Sequence, residues 1–316
     1  MEKRKFLPLI GILLFVSILV NIDLNVIIGL FARIRLEYVF LSLSLLIPAI
    51  LLRAVKWKII IKSYETKFSL MSAAKAWLIG FFLGIITPGR IGDLSRAYYL
   101  RREGNINMGS SLTTVIADRI VDIGMLFFLA SVGLVMIATV FSKAWEILFY
   151  IIFLFIIFLL GLSAFSKKSF TRFVLKPLSK RVTPAKYQAD LSRVFHDFYH
   201  GIDLISKYNI AITVFVAFVA WIVVILQYYL FSLALNIELP FLFFFAIVPA
   251  VALLDALPVS FSGIGTREAA LVFFFSLNGA SAETAVSLSL LIFIMIYLVN
   301  GFVGMLLWIR DPIKIK

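Results

Sequence analysis

Three short stretches set charged side chains directly against long apolar runs. In "FFLGIITPGRIGDLSRAYYLRR", Arg90, Asp93 and Arg96 follow the break Thr87-Pro88-Gly89. Thr87 reads as a helix N-cap and Pro88 as the first helical residue. Arg90, Asp93 and Arg96 then recur at i, i+3 and i+6 on one broad face, with Gly92 between them. A guanidinium takes phosphate oxygens bidentately, and a helix start adds unpaired N–H groups and a positive dipole end. Asp93 can orient both arginines. The competing reading is an interfacial helix whose arginines snorkel to lipid headgroups. In "PVSFSGIGTREAA", from Pro258 to Ala270, Gly263 and Gly265 permit tight turning, Thr266 can cap the next helix, and Arg267 and Glu268 fall in its first turn. The alternative is a plain loop before a capped helix. In "ADRIVD", Asp118 and Asp122 stand at i, i+4 and Arg119 and Asp122 at i, i+3, either as part of an anion site or as a structural ion pair. Asp255, just before Pro258, pairs with Arg119, pairs with Arg267, or lies at the surface.

One further cluster imitates a metal site. His196 and His200 have zinc-helix spacing, with Asp203 as a third donor. Leu191, Val194, Phe195, Phe198, Ile202 and Ile205 share the opposite face, so the segment reads as an amphipathic helix lying on a membrane with its histidines solvated. No metal and no cofactor is expected. No nucleotide loop or nucleophile–base pair occurs, and the absence of cysteine excludes thiolate and disulfide chemistry.

The elements that must carry these residues are membrane helices. The 316 residues are 62% hydrophobic and 15% charged, with a mean hydropathy of +1.06. That is far too little polar surface for a soluble domain. The apolar runs lack the two-residue alternation of barrel strands. The net charge of +13 sits beside apolar spans, so membrane orientation and anionic headgroups account for it better than nucleic acid does. Spans are expected at about 6–24, 38–58, 113–140, 145–165, 210–235 and 283–309. Two more runs, 70–87 and 241–257, end in breaks.

Charge counting orders them. The segment 166–207 carries nine basic and three acidic residues, the strongest cytoplasmic signal in the chain. Lys3, Arg4 and Lys5 put the N-terminus inside, and Arg53, Lys56, Lys58 and Lys62 do the same for the end of the second span. All these anchors are satisfied if 70–87 enters from the cytoplasm and turns back at Pro88-Gly89. By the same logic 241–257 enters from outside and returns through 266–280. The fold expected is all-α and polytopic, with six spans and two re-entrant hairpins in one membrane domain. Residues 1–142 and 143–316 form inverted repeats, the second bearing the basic segment 166–207. Paired broken segments at matching places in such repeats point to a transport site.

"TPGRIGDLSRAYYLRR", "ADRIVD" and "LPVSFSGIGTREAA" followed by "LNGASAETAVSLSLL", in that order, resemble the lysylphosphatidylglycerol synthase transmembrane region. This is the flippase-like domain of the multiple peptide resistance factor family and its stand-alone relatives. The likeness covers about residues 7–309. It implies transfer of an aminoacylated phospholipid between leaflets, or a link to polyprenyl-phosphate sugar pathways. By position, Pro88, Gly89, Arg90, Gly92, Asp93 and Arg96 match the first motif, Arg119 and Asp122 the second, and Gly263, Gly265, Arg267 and Glu268 the third. Asp93 stands where many relatives have Glu. The chain ends at Lys316 without the aminoacyl-transferase domain of the fused members, so lipid synthesis is not expected.

The function expected is therefore a non-enzymatic lipid translocase in the plasma membrane, with both termini cytoplasmic. Arg90, Arg96 and Arg267 hold the phosphate, and Asp93, Asp118, Asp122, Asp255 and Glu268 tune charge or meet a cationic group. Its partners are a phosphate-bearing lipid, a second copy of the chain, or a separate lipid-modifying enzyme. The rivals are a carrier of a small soluble anion, a membrane transferase, and a structural subunit in envelope assembly.

Overall fold

The computed structural model describes residues 7–138, 143–166, 185–256, 260 and 262–313. These contain helices and no strand. In chain order the helices are α1 (Leu7–Val20), α2 (Leu24–Ala32), α3 (Leu36–Ser44), α4 (Leu46–Ile61), α5 (Leu70–Ile85), α6 (Arg96–Gly104), α7 (Met108–Ile137), α8 (Lys143–Ser166), α9 (Ala185–Leu204), α10 (Lys207–Ala234), α11 (Phe241–Asp255), α12 (Thr266–Ser276), α13 (Ala282–Ile292) and α14 (Val299–Arg310). A 3₁₀ segment, Pro88–Ser95, leads into α6, and a π-helical segment, Phe293–Leu298, joins α13 to α14.

Five stretches are long and apolar enough to cross a bilayer: Leu36–Tyr64, Met108–Ile137, Lys143–Phe165, Lys207–Ala234 and Ala282–Arg310. The expected first span departs from this pattern. Helix α1 ends at Val20, Asp23 caps α2 through the Asn25 N–H, and the two axes meet at 88°. Asn21 and Asp23 supply turn and cap chemistry that stops a helix despite the apolar flanks. Helices α5 and α11 are short, at 16 and 15 residues, and each ends at one of the two breaks seen in the sequence.

Small residues let the helices approach closely. Gly133 of α7 lies against Ala246 of α11, and Gly304 of α14 lies against the Leu78 carbonyl and Phe82 of α5. One apolar core gathers Leu129, Leu134, Phe231, Phe244, Leu271 and Phe275, and a second gathers Trp57, Ile61, Phe68, Ala76 and Leu100. The outward face is apolar too: Phe149, Tyr150 and Leu160 of α8 are exposed, as lipid-facing side chains are.

Helix α9 is amphipathic, but its apolar side has a protein partner. Phe198 and Tyr199 are buried, Gly109 of α7 lies against the Val194 carbonyl, and Thr113 donates to the Phe198 carbonyl at 2.8 Å. The helix docks on the start of α7. The His196 side chain faces outward, 3.6 Å from Asp197.

Candidate functional site

The first break does not form the α-helix expected from Thr87-Pro88. Thr87 is extended, and Gly89 and Arg90 are both left-handed, with φ of 61° and 55°. Thr87 Oγ1 donates to the Leu83 carbonyl at 2.8 Å and accepts from the Gly92 N–H at 2.8 Å, which folds the 3₁₀ segment back onto α5. Gly92 lies so close to the Leu83 backbone that any Cβ there would collide. A left-handed arginine costs about 1–2 kcal/mol and persists only where its surroundings impose it. The two left-handed residues also separate side chains that one regular helix would align. Arg90 and Asp93 border a cavity, whereas Arg96 turns into the bundle.

Arg96 is fully buried. Its Nη1 donates to Asp118 Oδ2 at 2.9 Å, its Nε donates to the Asp93 carbonyl at 3.3 Å, and its guanidinium lies 5.1 Å from the Trp57 ring centre. Asp118 also meets Lys56 Nζ at 3.1 Å, and Lys56 reaches Asp122 at 2.5 Å. Arg119 pairs with Asp93 across the break, so neither the expected Arg119–Asp122 pair nor an Asp93 shared by Arg90 and Arg96 is formed. Helices α4, α6 and α7 are thereby tied by one buried network.

At the second break Gly265 is the N-cap residue of α12, with φ of 86°, and the Gly265 N–H donates to Glu268 Oε2 at 2.5 Å. Thr266 is not the cap. Its hydroxyl donates to the Gly263 carbonyl at 3.2 Å and lies 3.0 Å from that of Ser260. Arg267 is fully buried, with Nε donating to Ser289 Oγ at 2.8 Å and Nη2 to Glu268 Oε1 at 3.4 Å. Asp255 pairs with neither Arg119 nor Arg267. It is buried, accepts from the Tyr297 hydroxyl at 3.4 Å, and lies against Gly263, whose φ of 81° and missing side chain make room for the carboxylate. Pro258 lies outside the described residues.

Both breaks border one cavity of about 440 Å³, walled by α4, α5, α7, α10, α11 and the π segment. Of the nine charged residues expected at the site, Arg90, Asp93, Arg119, Asp122 and Asp255 line it. Arg96, Asp118, Arg267 and Glu268 do not. They stand in the surrounding shell, where their ion pairs fix the two breaks. Arg90 has no ion pair among the described residues. It is held 5.1 Å from the Phe81 ring centre and 5.7 Å from that of Tyr297, and its buried Nε has no acceptor.

Two cations do more than mark the end of a span: Lys56 is buried in the network, and Arg53 lines the cavity between Trp77 and Trp221. With Arg53 and Lys56 included, lining and shell together hold six basic side chains (Arg53, Lys56, Arg90, Arg96, Arg119, Arg267) and five acidic ones (Asp93, Asp118, Asp122, Asp255, Glu268), of which three of each sign line the cavity itself.

Spans with lipid-facing apolar sides, enclosing a charged and partly unpaired cavity, define a multi-pass helical membrane protein with a polar interior. The family described as the lysylphosphatidylglycerol synthase TM region has a model that matches residues 8–304, and the chain belongs to that family. It is 25% identical over 328 aligned positions to a UPF0104 membrane protein of Methanocaldococcus jannaschii, covering 99% of this chain and 97% of that one. It is 23% identical to a UPF0104 membrane protein of Pyrococcus horikoshii, covering 92% and 91%. No solved structure matches the chain.

Proposed function

We propose that the protein is a lipid translocase, a flippase or scramblase, that carries a phosphate-bearing headgroup between leaflets while the acyl tails stay in the bilayer. The observation that carries this reading is Arg90. It is a cavity-lining guanidinium with no carboxylate partner among the described residues, positioned by the ring faces of Phe81 and Tyr297. A charge kept unpaired within spanning helices is costly, and binding a transient anion offsets that cost. Phospholipids, aminoacyl-phospholipids and polyprenyl-phosphate sugars share the phosphate that Arg90 would take. Asp255, whose Oδ1 has no hydrogen-bond partner, would meet a cationic group on the same headgroup. Arg96 and Arg267 act as posts that hold the two breaks, and no covalent chemistry is assigned to any residue. This reading takes the membrane to be the plasma membrane and both termini to be cytoplasmic.

The halves are read as inverted repeats. Leu36 and Lys207 open α3 and α10, Leu70 and Phe241 open α5 and α11, and Gly133 and Gly304 mark the close packings on α7 and α14; each second member follows the first by the same number of positions (207 − 36). Each short helix also packs on the last long helix of the other half, α5 on α14 and α11 on α7. This reciprocal packing supports alternating exposure by rocking of one half against the other.

Leaflet exchange in liposomes tests the reading. Labelled phosphatidylglycerol, aminoacyl-phosphatidylglycerol and a polyprenyl-phosphate sugar are compared in vesicles with and without the protein. Exchange of at least one above the protein-free rate, slowed about tenfold or more by Arg90→Ala, is the expected result. Rates equal to the protein-free background for all three, with and without a proton gradient, would refute it.

A further inference from the structure

Arg53 and its neighbours are unused in the reading above, yet they continue the Arg90 site along one cavity wall. The Arg53 guanidinium, on α4, lies 5.4 Å from the ring centre of Trp77 on α5 and 5.4 Å from that of Trp221 on α10. Trp77 stacks on Phe81, the residue one turn further along α5, at 5.2 Å and 28°. Phe81 in turn carries Arg90 at 5.1 Å. The wall thus runs arginine, two stacked rings, arginine.

The way these two cations are held sets them apart. Among the described residues Arg96, Arg119 and Arg267 each have a carboxylate partner, whereas Arg53 and Arg90 have none. A carboxylate consumes the N–H donors in the guanidinium plane. A ring face fixes the cation through the π cloud and leaves those donors open. Both side chains line the cavity, a space that a ligand can enter. Their supporting rings stand four residues apart on one helix, a rise of roughly 6 Å. That separates two binding positions and leaves them close enough for a phosphate to pass from one to the other.

We propose that Arg53 is a second phosphate station, one turn of α5 from Arg90, and that a phosphate-bearing ligand is handed between the two along the Trp77–Phe81 stack. That the handover carries a lipid across the bilayer rests on the translocase reading; the station itself does not. The phosphate can belong to a lipid headgroup or be a free anion.

The test titrates the purified full chain with dihexanoyl-phosphatidylglycerol and, separately, with inorganic phosphate, and reads intrinsic tryptophan fluorescence. Trp77 and Trp221 flank Arg53 and so report on it. Wild type should show a saturable change with at least one probe, and Trp221→Phe should remove a large part of that signal. Arg53→Gln should weaken binding about tenfold or more. Arg53→Lys, which keeps the charge but loses the planar fork, should restore it only in part. Arg90→Gln should leave a response at Trp221, because the Arg53 station survives. A response only to the lipid assigns the station to a headgroup, and a response to phosphate that the lipid does not compete away assigns it to a free anion. The proposal is overturned if neither probe changes wild-type fluorescence, if Arg53→Gln titrates like wild type while eluting as the same monodisperse species, or if Arg90→Gln abolishes every response. The last result would mean one shared clamp. Binding as described, without leaflet exchange of any lipid, would remove the translocase and leave the station standing.

Discussion

Arg96 and Arg267 occupy comparable places at the two breaks, and their charges are balanced in different ways. Each is fully buried in the first turn of the helix after its break, and each bonds to a residue 22 positions later, Arg96 to Asp118 and Arg267 to Ser289. At the first break the acid comes from α7 and is shared with Lys56 of α4, so the balance spans three helices. At the second break the acid is Glu268, the next residue, while Ser289 bridges by accepting from Arg267 and donating to Glu268 at 2.5 Å. The first arrangement ties distant parts of the bundle together by charge. The second is nearly self-contained and needs only a hydroxyl from its neighbour. Similar posts can therefore differ widely in how much of the fold depends on them.

That difference can be broken experimentally. The largest effect is expected from Asp118→Ala, which strips Arg96 of its carboxylate and leaves Lys56 with Asp122 alone; breaking a buried pair of this kind costs about 3–5 kcal/mol. Denaturant unfolding in mixed micelles should show that loss, and a stability within 1 kcal/mol of wild type (roughly the worth of an exposed pair) would show that the network is not the tie. Gly304→Leu comes next. Its side chain would be forced into the Leu78 backbone and Phe82, an overpacking cost of about 1–3 kcal/mol. Gly133→Leu meets the Ala246 backbone in the same way, so similar losses for the two would support equivalent packing in the two halves, and a tolerated change at one would separate them. Ser289→Ala should cost least, about 1–2 kcal/mol, because Glu268 keeps Arg267 and the Gly265 N–H. A loss as large as that of Asp118→Ala would mean that the second post is no more local than the first.

Much of this was legible in the sequence. Apolar length and charge density give the helical membrane fold, and the two breaks fall at the ends of α5 and α11 as read. The residues that miss do so for specific reasons. Arg53 and Lys56 looked like an interfacial anchor because the positive-inside rule counts charge without knowing where a helix ends. The apolar run Ile59-Ile60-Ile61 just beyond them was the available sign that the helix continues, as it does to Tyr64. The bend within the span at 6–24 was not visible because hydropathy averages over Asn21 and Asp23, while a helix responds to them locally; α1 and α2 together still have the length and composition of one broken span. The partners of Asp93 and Asp122 were out of reach, since Arg119 and Lys56 arrive from other helices and no pattern within one segment encodes a crossing. The left-handed backbone at Arg90 was also invisible. Pro88-Gly89 signals a break, but not that the residue after it shares the turn.

The widened turn at Phe293–Leu298 has a consequence for what lies on either side of it. A π turn takes up more residues than an α turn, and each residue of an α-helix advances the facing direction by roughly 100°. Tyr297, within that turn, reaches toward Arg90, Arg267 and Asp255. Beyond it, Asn300, Gly301 and Gly304 are the buried side of α14. If the turn closed to α geometry, the two sets would fall out of phase, and one would have to surrender its neighbours. The surplus in that turn therefore works as a key: it sets the rotation at which the seam formed by Gly304 and the aromatic support of Arg90 are both in place.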